Sequence, residues 1–168
     1  MNEILVEANQ QRDLLINNMK SVILSTVDKS SKPNASYAPS LFHNGSFYVY
    51  LSTLSKHSSN LMLNKKASLM IIEDESKAEK LFARKRITMD VDSTVVDRDI
   101  DEWNLIMDEM ESKFGHSIKF LKDLTDFFLF SLKPQSGLLV YDFGRAFRLT
   151  GTNLDEIKFL NEKGHKKG

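Results

Sequence analysis

The chain has 168 residues, enough for one domain, here 1–168, with a single core. Lysine plus arginine is 23 and aspartate plus glutamate is 23. The formal net charge is therefore zero, and no global basic field is available for nucleic acid. Cysteine is absent, which excludes disulfides and thiolate metal sites and fits a reducing cytoplasm.

The opening Met1-Asn2-Glu3-Ile4-Leu5-Val6-Glu7 has no basic region followed by an apolar run, so no signal peptide is expected there. No stretch approaches the roughly 18 apolar residues of a membrane span, so no membrane partner is expected. Residues 3–19 predict a helix, with Ile4, Leu5, Ala8, Leu15 and Met19 able to share a face. Residues 22–27 predict a buried strand, and Asp28 to Pro33 a turn. A second strand is expected over 34–42, with Pro39 marking an edge or a bulge. Asn44-Gly45 is a hairpin signal, and 47–51 is the returning strand.

A short helix is expected over 55–64, with Ser55 as its N-cap. Strands follow at 67–72 and 87–96, the second opened by Arg84-Lys85-Arg86. Ile100, Trp103, Ile106, Met107, Met110 and Phe114 give the clearest helix, 99–114, closed by Gly115. Strands are expected at 127–132, 137–141 and 143–149. Asn153 is expected to cap a short segment, 154–160, before a basic tail, 161–168. There is no steady alternation of strand and helix. The expected class is therefore α+β, mostly β, a small barrel of six to seven antiparallel strands with flanking helices.

No glycine-rich phosphate loop, HExxH pair or nucleophile elbow is present. Chemistry must come from other groups. Arg84, Lys85 and Arg86 form the strongest local charge cluster. They are either a solvated approach to a strand or an anion clamp, because arginine forks suit a pair of carboxylates or one phosphate. On a strand, alternate residues share a face, so Arg84 and Arg86 could point together. Asp126 precedes the apolar Phe127-Phe128-Leu129-Phe130 and needs a partner if buried. That partner is a backbone amide, a surface lysine, or the imidazole of a metal-bound histidine. His165 stands in Gly164-His165-Lys166-Lys167, and a neutral imidazole is suited to iron, copper or zinc. His57 is read as a helix-surface or pocket-edge residue, with His43 and His116 exposed.

Assembled in order, these residues resemble a known family over nearly the whole chain. The matching stretches are Thr26-Val27-Asp28, Pro33 to Pro39, His57-Ser58-Ser59-Asn60-Leu61, Ile71 to Glu75, Leu81 to Thr88, Asp126-Phe127, Phe143-Gly144-Arg145-Ala146-Phe147 and Gly164 to Lys167. Together they are similar to the haem-utilisation proteins of the split-barrel class. These are small bacterial haem-degrading proteins related to pyridoxamine-phosphate-oxidase-like flavoproteins. The resemblance implies a homodimeric FMN-binding-type split β-barrel with haem at the dimer interface. His165 matches the iron ligand, and Asp126 the acid that hydrogen-bonds it across the dimer. Arg86 matches the basic residue near the haem. Arg86 and Asp126 are thus expected to serve catalysis, and Arg84, Lys85, Arg86, His57 and Lys166 to bind the cofactor. Haem would be degraded with dioxygen to release iron, on electrons from an external reductase or reductant, since no nicotinamide motif is found. The alternatives are an FMN-dependent oxidoreductase, with Arg84, Lys85 and Arg86 on the phosphate, and a non-catalytic haem carrier or store.

Overall fold

The apolar and β-branched runs pair into one antiparallel sheet. In the computed structural model, residues 3–160 are described. His165, Lys166 and the rest of 161–168 lie outside the described residues. Nine strands are present among those residues: β1 (Ser21–Val27), β2 (Pro33–Pro39), β3 (Leu41–His43), β4 (Ser46–Ser52), β5 (Lys66–Ile72), β6 (Arg86–Val96), β7 (Phe127–Val140), β8 (Ala146–Thr150) and β9 (Glu156–Phe159). Four helices accompany them: α1 (Glu3–Asn18), α2 (Lys56–Asn64), α3 (Asp101–Phe114) and α4 (His116–Leu121). The strand order is β2-β1-β5-β6-β7-β4-β3, with β8 on β7 and β9 on β8.

β7 organises this topology. It runs beside β6 from Leu129 to Val140. Its first half also pairs with β4 and its last residues with β8, so one strand bridges both parts of a split barrel. Residues 127–132 and 137–141 were expected as separate strands, and they are nearly continuous here. Pro134 lacks an N–H, and the register slips between Asp90 and Val91, so a bulge absorbs it.

β1 buries Val22, Leu24 and Thr26 and exposes the residues between, the alternation of a strand covered on one face. β4 instead buries Ser46 through Leu51. Its Phe47, Val49 and Leu51 face the main core with Leu24, Leu69, Ile87, Phe130, Leu139 and Phe147. Its Tyr48 and Tyr50 face a second cluster, where α3 contributes Trp103, Ile106, Met107 and Met110.

Three expectations need correction. The strand expected over 34–42 breaks at Ser40, after Pro39, into β2 and β3. The segment after Asn153 is strand β9, and its pairing with β8 overrides any helix cap. Ser55 sits at the N-cap of α2, but its hydroxyl donates to Ser52 O at 2.7 Å and caps nothing. Helix α4 was not foreseen.

Candidate functional site

The basic triplet does not act as one group. β6 begins at Arg86, so the alternation assumed for Arg84 and Arg86 does not apply. Arg84 lies before the strand and turns its guanidinium onto Glu73 O at 2.5 Å, with Glu75 Oε2 at 3.7 Å. Lys85 uses its backbone to grip Glu73, donating to Oε1 and accepting from Glu73 N. Its side chain lines a polar pocket of about 250 Å³ with Glu7, Lys77, Lys80 and Tyr141. Arg86 donates to Arg84 O at 3.0 Å and lines a different cleft.

That second cleft, of about 450 Å³, is the aromatic one. Phe82 and Phe143 stand beside Arg86, with Val140, Ala146 and Leu160. Phe82 is 95% exposed and Phe143 63%, although phenylalanine is among the residue types most often buried. The loops that carry the two phenylalanines are tied by an ion pair, Lys80 Nζ to Asp142 Oδ1 at 2.8 Å. Asp142 holds a left-handed backbone conformation, φ 56°, in the turn that presents Phe143. Leu160 is fixed at the rim, donating its N–H to Ala146 O at 2.9 Å.

Asp126 lies elsewhere. Arg86 pairs with Val140 at one end of the β6–β7 ladder, and Val96 with Leu129 at the other. Asp126 lies just beyond that second end. Ten residue steps of strand separate Arg86 from Val96, about 30 Å of extended chain. Around Asp126 the structure is tightly specified. Ser52 Oγ donates to its Oδ2 at 3.1 Å, and Thr53 N donates to its carbonyl at 2.8 Å. The loop leading to it is held by Arg98, whose guanidinium donates to the carbonyls of Lys122, Leu124 and Phe127 and to the Tyr50 hydroxyl.

His57 is half-buried on α2, with Nδ1 2.9 Å from Ser36 Oγ, and burial pushes its pKa down. His43 is not the exposed turn residue expected, because it pairs with Glu109 Oε1 at 3.0 Å. His116 is exposed. Sequence reasoning missed Ser52 and Arg98 altogether. Phe82 and Phe143 lie inside the stretches quoted for the resemblance, but nothing local in the sequence marks them as exposed.

Residues 8–141 match the pyridoxamine 5'-phosphate oxidase family. The haem oxygenase HutZ of Vibrio cholerae is 41% identical over 148 residues, which is 88% of this chain and 84% of that one. The chain belongs to this family. A crystal structure of HutZ, described there as the haem storage protein of Vibrio cholerae, has a TM-score of 0.75 at 37% identity. The match covers 78% of this chain and 93% of that one. Campylobacter jejuni ChuZ superposes with a TM-score of 0.86 at 27% identity, covering 97% of this chain and 66% of that one. The family's split β-barrel is the fold described above, with β8 and β9 added to a seven-strand path. Among the described residues no helix is long and apolar enough to cross a membrane, and no cluster of three or more metal-ligating side chains occurs.

Proposed function

We propose that two copies of this chain bind haem between them and degrade it oxidatively, releasing iron. The observation that carries this reading is the separation of Arg86 from Asp126. One copy holds the cationic, aromatic cleft at one end of its longest ladder and the carboxylate at the other. A second copy can supply the missing half.

The outward face of the sheet suits that second copy. Tyr37, Ile23, Met70, Thr88, Leu138 and Arg148 follow one another in register across six strands. Tyr37 is 69% exposed and Leu138 41%, on a face with few charges along this row. An apolar, self-complementary sheet face is what a two-fold interface needs.

The residues present fit haem. Arg86 offers a cation to a propionate, while Phe82, Phe143 and Val140 offer an apolar bed. Leu160 ends the described chain at that cleft. The candidate ligand His165 lies five residues on, within about 18 Å of reach. A neutral His165 would ligate the iron, and Asp126 of the other copy would accept its second N–H. Lys166 adds a cation beside the ligand. Bound haem supplies the dioxygen chemistry itself, on electrons from an external reductase or reductant. The divergence of Arg84, Lys85 and Arg86 weighs against the three-residue phosphate grip of the FMN alternative.

Titration of the purified protein with haemin, followed by ascorbate in air, tests the reading. A saturable Soret band that decays under ascorbate, with iron becoming chelatable, is expected. A stable Soret band means haem storage, the role named for the HutZ structure. No Soret band, or a bound flavin spectrum, overturns the proposal. His165→Ala should lose the histidine-ligated spectrum; if it keeps it, another residue holds the iron, with His57 the first alternative.

A further inference from the structure

We infer that Ser52 is the positioning residue for Asp126: its hydroxyl holds one carboxylate oxygen and leaves the other for an imidazole N–H. The inference rests on the haem reading above and names a device within that site.

A serine hydroxyl has one proton and two lone pairs. Leu54 N–H donates to Ser52 Oγ at 3.1 Å, which occupies a lone pair and helps fix the hydroxyl. The proton then points to Asp126 Oδ2, also at 3.1 Å. Oδ1 has no hydrogen-bond partner among the described residues. The carboxylate is thus held at one oxygen and open at the other. The hold is rigid at both ends. Ser52 pairs with Phe127 at the last rung of the β4–β7 ladder, one residue from Asp126. Ser52 O in turn accepts from the backbone and the hydroxyl of Ser55, at 3.1 and 2.7 Å. Thr53 N closes the arrangement on Asp126 O. A carboxylate on a loop would otherwise sample several rotamers, and a ligand's outer partner must be held to tune it.

The hydroxyl has a second effect. A hydrogen bond donated to Oδ2 withdraws charge from the carboxylate, so Ser52 also moderates how strongly Oδ1 pulls on the imidazole proton. That sets the strength of the iron–histidine bond.

Resonance Raman of the ferrous haem-loaded protein reads this directly, alongside thermal unfolding of the haem-free protein. Asp126→Asn should lower the iron–histidine stretch. Ser52→Ala should shift it, because the carboxylate is then neither held in one rotamer nor sharing its charge with the hydroxyl. Ser52→Cys, a near-isosteric weak donor, should fall between, and it serves if the alanine variant does not fold. Ser52→Thr should restore the wild-type frequency. If Asp126→Asn shifts the mode and neither Ser52→Ala nor Ser52→Cys does, the inference is overturned while the haem reading stands. A shift that threonine does not rescue, accompanied by a loss of melting temperature, makes Ser52 merely structural and also overturns it. An unmoved mode in Asp126→Asn removes Asp126 from the site, and Ser52 with it.

Discussion

Arg86 and Asp126 flank opposite ends of the β6–β7 ladder, about 30 Å of extended strand apart. The shared site proposed above has a quantitative consequence. Arg86→Ala and Asp126→Ala homodimers should each be impaired in haem degradation. Unfolding the two together and refolding them as a mixture should recover about a quarter of wild-type sites. Half the dimers are then mixed, and each carries one intact pairing. The assay is the rate of Soret loss under ascorbate. No recovery over the separate variants, with sedimentation confirming mixed dimers, sinks the shared site.

Arg84 and Arg86 should separate stability from binding. Arg84 is folded onto Glu73 O and Glu75, and its Nε is buried without a partner. Arg84→Ala removes a charge-assisted bond between two loops and should lower unfolding free energy by about 1.5–3 kcal/mol. Arg86 faces the cleft, so Arg86→Ala should weaken haem binding by roughly a similar amount with a smaller change in melting temperature. Urea melts beside haemin titrations decide this. Equal stability losses in the two variants would mean that Arg86 is as structural as Arg84.

The elements with local signals were legible in the sequence. The spacing of Trp103, Ile106, Met107 and Met110 gave α3 nearly to its ends, and Asn44-Gly45 gave the β3–β4 hairpin. What failed was decided at long range. Residues 127–132 and 137–141 read as separate strands, yet β7 joins them, because β6 pairs along nearly all of it while β4 flanks its first half and β8 its last residues. Leu154 to Leu160 read as a capped segment, and β8 made it a strand. The candidate site divides in the same way. Asp126 and Arg86 stood out by residue type. Ser52 and Arg98 did not, since a serine after a strand and an arginine between two aspartates are ordinary until tertiary contacts assign their partners.

His57 should make the protein acid-sensitive. Burial lowers its pKa below the ordinary 6.5, so the folded state favours the neutral ring. Its contribution is complete above the unfolded value and is lost as pH falls from 6.5 toward the depressed folded value. Wild type should therefore melt at progressively lower temperature across that window. His57→Gln keeps a polar side chain near Ser36 Oγ and should show a flatter profile at comparable neutral-pH stability. Parallel profiles would place the acid sensitivity elsewhere.

Gly45 should tolerate no side chain. Its φ is +77°, and a Cβ there would lie 2.0 Å from Thr152 O. Backbone cannot yield as a side-chain tip can. Gly45→Ala therefore combines left-handed strain with a clash between the β3–β4 turn and the loop after β8. A loss of at least about 2 kcal/mol in urea unfolding is expected, beyond that for an alanine placed at an open left-handed site. Gly115 supplies the comparison, since its φ is +73° and nothing lies within 4 Å of a built Cβ. If Gly45→Ala costs no more than Gly115→Ala, the two loops are not packed as described.

Arg98 should control the approach to Asp126. Its guanidinium donates to Lys122 O at 2.9 Å, Leu124 O at 2.6 Å, Phe127 O at 3.1 Å and the Tyr50 hydroxyl at 2.8 Å. It also lies 5.1 Å from the centre of the Trp103 ring, stacking the cation on α3. A planar fork can serve several oxygens at once, and an ammonium cannot reproduce that geometry. Arg98→Lys should therefore behave almost like Arg98→Ala, each losing about 1.5–3 kcal/mol. The loss should be local as well as global. Amides of residues 122–127 should exchange faster with solvent, while those of the β1–β5 ladder keep their protection relative to global stability. With the loop released, Asp126 loses its fixed approach, and haem turnover should fall in both variants. Full protection of 122–127 in Arg98→Lys would show that charge alone holds this loop, and that the fork is dispensable.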